Sequence, residues 1–397
     1  RDRLRSRGLG DVYKRQQMNL YLKHTFSYLL GISYALLSSA QPNSDKLQCK
    51  VTGRMLLDGG VYLKNDNHFG NGVEFGDLRI SAKVAYQNWN MKVEIGYTGN
   101  KAAIKDAYAM YTQKKHTIQV GQFYEPFSLE MLCSTFDLRF NQSPGVVLAL
   151  TNSRRMGVAY SYRSKRYYLS GGAFTDNDVN NLKNVSQGYA LDGRIVYRPV
   201  FENEKLIHIG FATIYRTPDG SLNEEDKNVF SYKSPGVSTI DNRNIVAATV
   251  DHATHQIKFG TELLVYYHRF CLQSEYIRTH VKRDDAFENY VAQGGYLQCS
   301  WLLAGQTYLY DESVACPGRP KGKSLELCSR FNYLTLNDGK AAIWGGEQKD
   351  ISVGLNYYIN KYIGVKLNYS YMIPGANIKE ISNQNFSVVQ GRFQFIF

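Results

Sequence analysis

The residues with the most chemical content in this 397-residue chain are arginines and lysines set at even spacings inside alternating, extended segments. Arg54, Arg79, Lys83, Lys92, Arg155, Arg163, Arg194, Arg198, Arg330 and Arg392, together with Lys50 and Lys366, fall on the polar side of such segments, and Arg139 lies in the loop-like stretch 124–153. The same side carries Asp58, Asp77, Glu94, Asp106, Asp192 and Glu326, about half as many acids. Cations lining a narrow, low-dielectric passage focus positive potential and favour anions, and a guanidinium offers paired donors that match phosphate. The competing reading makes them ordinary wall charges paired with wall acids.

Other arrangements carry less. "CPGRPKGKS" at 316–324 comes close to a phosphate-binding loop, but Pro317 replaces the first glycine and a strand-like segment follows where a helix is needed. His252 and His255 flank no third ligand beyond the neighbouring Asp251, and no local signature marks a serine, histidine and acid set. The expectation is therefore a non-enzyme with no cofactor, no metal and no nucleic-acid partner.

The cations must be positioned by strands. In "WNMKVEIGYT" (89–98), Trp89, Met91, Val93, Ile95 and Tyr97 share one face while Lys92 and Glu94 share the other. An apolar face spanning nine residues with an aromatic at each end matches a tilted strand crossing a bilayer. Leu78 to Tyr86, Tyr189 to Tyr197 and Ile363 to Tyr371 repeat the rule. The 31 Tyr, 19 Phe and only 9 Pro favour strands, and no apolar run is long enough for a spanning helix. These features predict an all-β antiparallel transmembrane barrel of about sixteen strands, near 47–58, 75–87, 89–98, 103–113, 115–123, 154–163, 166–174, 187–199, 204–216, 255–267, 270–282, 290–303, 323–335, 349–359, 361–373 and 386–397. Short turns alternate with long loops, except that 304–322 is long where a short turn belongs.

The chain closes on "VVQGRFQFIF", which puts Phe393, Phe395 and Phe397 on one face and Arg392 and Gln394 on the other. In hydrocarbon every backbone polar group needs a partner, so the last strand should pair with the first and turn its phenylalanines to lipid. That ending also resembles the signal by which barrel-assembly machinery recognises its clients.

At the other end, residues 1–17 read as a remnant foreign to the mature protein, and 18–40 as a secretory signal cleaved after Ala40. Residues 1–40 hold seven cations and two acids, so the formal charge of +12 falls to +7 without them. Residues 41–397 are expected to form one domain. Cys49, Cys271, Cys299 and Cys328 lie in strand-like segments and Cys133 and Cys316 in loops, with no close CxxC pair, so they read mostly as small apolar residues.

Two segments carry a closer resemblance. "GQFYEPFSLEMLCSTFDLRFNQSPG" from Gly121, followed by "RRMGVAYSY" from Arg154, is similar to the strand and inward-folding third loop of the phosphate-selective porin O and P family. "FGTELLVYYHRFCLQSEYIRT", "GGYLQCSWLLAGQTYLYD", "LELCSRFNYLTLND" and "ISVGLNYYIN" match that family's later blocks in order. The resemblance implies a trimeric, sixteen-stranded barrel passing phosphate or other small anions across the bacterial outer membrane, with lumen cations attracting them. Within 124–153, however, Tyr124 stands where lysine is expected, and Glu125, Glu130 and Asp137 accompany the single Arg139. General small-solute diffusion, or a non-conducting barrel that binds a ligand or anchors a complex, therefore stays open beside anion preference.

Overall fold

The computed structural model describes residues 46–63, 66, 68–98, 101–180, 185–220, 228–241, 243–378 and 384–397. The remnant expected at 1–17 and the signal expected at 18–40 lie outside the described residues. The strands are β1 (Gln48–Leu63), β2 (Gly72–Tyr86), β3 (Trp89–Thr98), β4 (Lys101–Gln113), β5 (His116–Tyr124), β6 (Arg154–Arg163), β7 (Tyr167–Thr175), β8 (Tyr189–Glu202), β9 (Lys205–Arg216), β10 (Phe230–Ser234) and β11 (Val246–Val250). They continue with β12 (Ala253–Tyr267), β13 (Phe270–Arg283), β14 (Tyr290–Ala304), β15 (Tyr308–Asp311), β16 (Cys316–Pro320), β17 (Ser324–Asp338), β18 (Ile343–Tyr358), β19 (Ile363–Pro374) and β20 (Phe386–Ile396). All but β10, β11, β15 and β16 join in one closed ring, so the sixteen expected segments each become a wall strand.

The ring closes where β20 pairs antiparallel with β1, Asp58 opposite Arg392 and Met55 opposite Phe395. Closure leaves no edge strand, which is the condition for a sheet to sit in hydrocarbon. Outside, the alternation holds: Ile80, Val158, Ile195, Leu297 and Phe393 are exposed, and Trp89, Tyr160, Tyr167, Trp301 and Tyr357 add aromatics near the short-turn end. Phe397 is the most exposed of the terminal phenylalanines, while its backbone exchanges hydrogen bonds with Gly53 of β1.

Three segments fold into the barrel. Residues 125–153, which include the helix α1 (Gly145–Leu150), enter from the long-loop end; β10 and β11 form a hairpin in the loop after β9; β15 and β16 form a second hairpin from the short-turn end. This last hairpin accounts for the anomalous length of 304–322. The apolar sides of the intrusions need partners, and Val146, Val147, Leu150, Tyr232 and Val246 find them against Ile277, Tyr290, Leu334 and Met372 on the wall. One part of the interior is thus an apolar core, not a polar lumen as strict alternation predicts.

Candidate permeation site

The cavities richest in cations lie along β1–β6. Two adjoining cavities of about 390 Å³ each share Arg54, Arg79, Ser134 and Asp137 at their junction. Together they are lined by eight cations, Lys50, Arg54, Arg79, Lys83, Lys92, Arg154, Arg319 and Lys361, and four acids, Glu94, Asp106, Asp137 and Asp311, among the described residues.

Register places the cations. Lys50 pairs with Lys83, and Lys83 with Lys92, so three neighbouring strands hold three lysines side by side facing inward. Like charges directly opposite one another are unfavourable. One level away, Arg54 pairs with Arg79. Acids partly compensate: Arg79 Nε donates to Asp77 at 2.6 Å and Nη1 to Glu94 at 2.8 Å, Lys92 lies 3.0 Å from Glu94 and also meets Asp106, and Arg54 lies 3.5 Å from Glu94. Lys50 and Lys83 have no ion-pair partner among the described residues.

The inward loop completes the wall. Arg54 Nη1 donates to Ser134 Oγ at 3.0 Å and Thr135 Oγ1 at 2.8 Å, and the Thr135 hydroxyl donates to Asp77 at 2.6 Å. The loop's acids do not dominate the passage. Glu125 is paired with Arg216; Glu130 is buried and accepts from Gln273 at 2.6 Å; only Asp137 faces the cavity. Burial pushes the Asp137 carboxyl above its ordinary range, opposed by Arg319 at 3.8 Å.

The expected cations thus divide into two groups. Arg54, Arg79, Lys83 and Lys92 line the cavities, and Arg163 lines a smaller one of about 180 Å³. Arg155 is inward and half-buried, its Nη1 donating to the Arg154 carbonyl at 3.0 Å. The remaining five are buried fasteners. Arg139 donates to the Gly318 carbonyl at 3.0 Å, Arg330 to the Gln142 carbonyl at 2.9 Å, and Arg392 to Asp58 and to the Asn141 carbonyl at 2.7 Å. Arg194 grips Glu262 at 2.8 Å and the Val314 and Ala315 carbonyls at 2.6 and 2.8 Å. Arg198 donates to the Ser164 carbonyl beneath the Tyr310 ring. Lys366, on the same polar side, holds the Leu138 carbonyl.

Arg154 and Lys105 escape sequence reasoning. Arg154 shares the parity of outward Met156, yet at the strand end it turns in over the Tyr124 ring, 4.0 Å from its centroid, to reach Asp106. Lys105 is the extra residue of a bulge, since Glu94 pairs with Asp106 but Ile95 with Ile104. Gly96 opposite makes room for it, as a Cβ there would stand 2.7 Å from Lys105 Cε.

A search of curated proteins finds no match. Among solved structures the chain is similar to an anion-selective porin from Comamonas acidovorans, with TM-score 0.58 and 10% identity over 89% of this chain and 100% of that one. It is also similar to the trimer form of OmpT, an outer membrane protein of Vibrio cholerae, with TM-score 0.57 and 10% identity over 88% and 100%. The outer membrane channel DcaP of Acinetobacter baumannii matches with TM-score 0.54 and 12% identity over 90% and 100%. Likeness at such identities speaks to the fold. The profile described as "Phosphate-selective porin O and P" matches residues 49–397, and the chain belongs to that family of bacterial outer-membrane porins.

Proposed function

We propose that the protein is a passive porin whose two basic cavities prefer small anions, phosphate among them, and that it works as a homotrimer. The observation that carries the preference is the row Lys50, Lys83, Lys92, three like charges in register facing the two adjoining cavities, Lys50 the one and Lys83 and Lys92 the other, with Lys50 and Lys83 unpaired among the described residues. An arrangement unfavourable to the empty wall lowers the energy of an anion passing it. The eight-to-four excess of lining cations acts in the same direction. Arg54, Arg79 and Arg154 lend part of their charge to wall acids, so the lysines carry most of the effect. Arg139, Arg194, Arg198, Arg330 and Arg392 act on the shape of the passage by holding the inward segments. Lipid meets the outer face, and Phe393, Phe395 and Phe397 present the terminal pattern to assembly machinery. The trimer draws support from the trimeric OmpT, and anion preference from the anion-selective neighbour.

Planar-bilayer recording of the purified protein in a potassium chloride gradient tests the reading. Anion preference gives a reversal potential of the sign set by chloride, and added phosphate reduces chloride current by competing for the lysines. A reversal potential near zero supports unselective diffusion. Absence of any conductance supports the second reading, a closed barrel, which the inward 308–320 hairpin favours.

A further inference from the structure

Two cysteines from different inward segments meet beside the cavity. Cys133 lies on the loop after β5 and Cys316 at the start of β16, and both are buried in one small apolar cluster with Leu138. The thiols reach the peptides beside one another: Cys133 Sγ lies 3.2 Å from the Leu129 carbonyl of its own loop and 3.3 Å from the Pro317 carbonyl, and Cys316 Sγ donates to the Leu132 carbonyl at 3.7 Å. Both segments are held on either side of the sulfurs. Glu275 accepts the Leu129 and Glu130 amides at 2.9 and 2.8 Å and Arg54 binds Ser134, while Arg194 grips the Val314 and Ala315 carbonyls and Arg139 the Gly318 carbonyl.

No second pair competes. Cys271 and Cys328 both face inward, but each pairs in register with Ser300 of the intervening β14, which sets their backbones about 10 Å apart, beyond the reach of a disulfide. Cys49 and Cys299 sit on the outward face of β1 and β14, with Val84 and Leu272 as cross-strand neighbours. The exported chain meets an oxidising compartment, where adjacent thiols become disulfides.

We propose that Cys133 and Cys316 are oxidised to a disulfide that staples the inward loop to the short-turn hairpin. A Cys133 or Cys316 thiolate attacks the disulfide of a protein thiol–disulfide oxidant, giving a mixed disulfide. The second thiolate displaces the oxidant, so the two cysteines lose two protons and two electrons and the oxidant leaves as its dithiol. Burial, and after it the neighbouring Cys316 thiol, push the Cys133 thiol well up, which favours reaction before the hairpin seats. The staple fixes the gap between the two segments that border the cavity, and with it the width of the passage.

The test uses protein extracted from outer membrane without reductant and denatured in N-ethylmaleimide. The intact mass should show four adducts before reduction and six after it, a tryptic map should recover the peptides containing Cys133 and Cys316 as one linked species, and Cys133→Ser should raise the count before reduction to five. Six adducts before reduction, or a link between any other pair, overturns the proposal.

Discussion

Arg392 of the last strand and Asp58 of the first form a two-armed ion pair, Nε to Oδ1 and Nη2 to Oδ2 both at 2.6 Å, between residues directly opposite in the closing register. The same guanidinium donates to Asn141 of the inward loop, so one side chain ties barrel closure to loop position. Removing one member of a buried pair strands the other charge, at a cost of about 3–5 kcal/mol. Arg392→Met should therefore lower the temperature at which the folded barrel converts to the unfolded band on a gel. Pairing it with Asp58→Asn should recover part of the loss, because no buried carboxylate is then left uncompensated.

Lys366 holds the Leu138 carbonyl from β19, away from the lysine row of β1–β3. Lys366→Met should loosen the inward loop and give noisier or larger single-channel currents, with the reversal potential unchanged. A shifted reversal potential at constant conductance would instead make Lys366 part of the anion path.

The 308–320 hairpin borders one of the two basic cavities through Asp311, Ser313, Cys316 and Pro317. Its wall neighbours β14 and β17 pair with each other over eleven register positions without it. Replacing residues 307–321 with a short Gly-Ser turn should leave a heat-modifiable barrel and raise conductance several-fold. Unchanged conductance would show that the hairpin is not the constriction.

A Cβ at Gly53 would collide with the Phe397 ring at the barrel seam, so a side chain there requires that ring to shift. Gly53→Val should reduce the yield of folded barrel, and Gly53→Val with Phe397→Ala should regain strand pairing at the seam while losing the terminal phenylalanine. Measuring folded yield in detergent, away from cellular assembly factors, separates the steric effect from recognition.

The wall was legible in the sequence because each strand meets two solvents, lipid and interior, and period-two alternation records that contrast. Trp89 to Tyr97 and Ile363 to Tyr371 show it, and each lies in a wall strand. What filled the interior was not legible in the same way. Alternation tells that Arg194 and Lys83 face inward but not that Arg194 meets Glu262 and two carbonyls while Lys83 meets a cavity, because those partners come from residues 68 or more positions away. The inward hairpin left only the sign of excess length. Arg154 and Lys105 were hidden by a strand end and a bulge, the two places where parity fails.

The central claim is that the lysine row sets anion preference, and the reversal potential of Lys50→Gln/Lys83→Gln/Lys92→Gln in a potassium chloride gradient tests it most directly. Lumen substitutions tune selectivity and leave the lipid-facing wall intact, so the variant should remain heat-modifiable. The account predicts that its reversal potential moves toward zero by most of the wild-type value, while Arg194→Gln moves it little. A triple variant that conducts with the wild-type reversal potential would contradict the account.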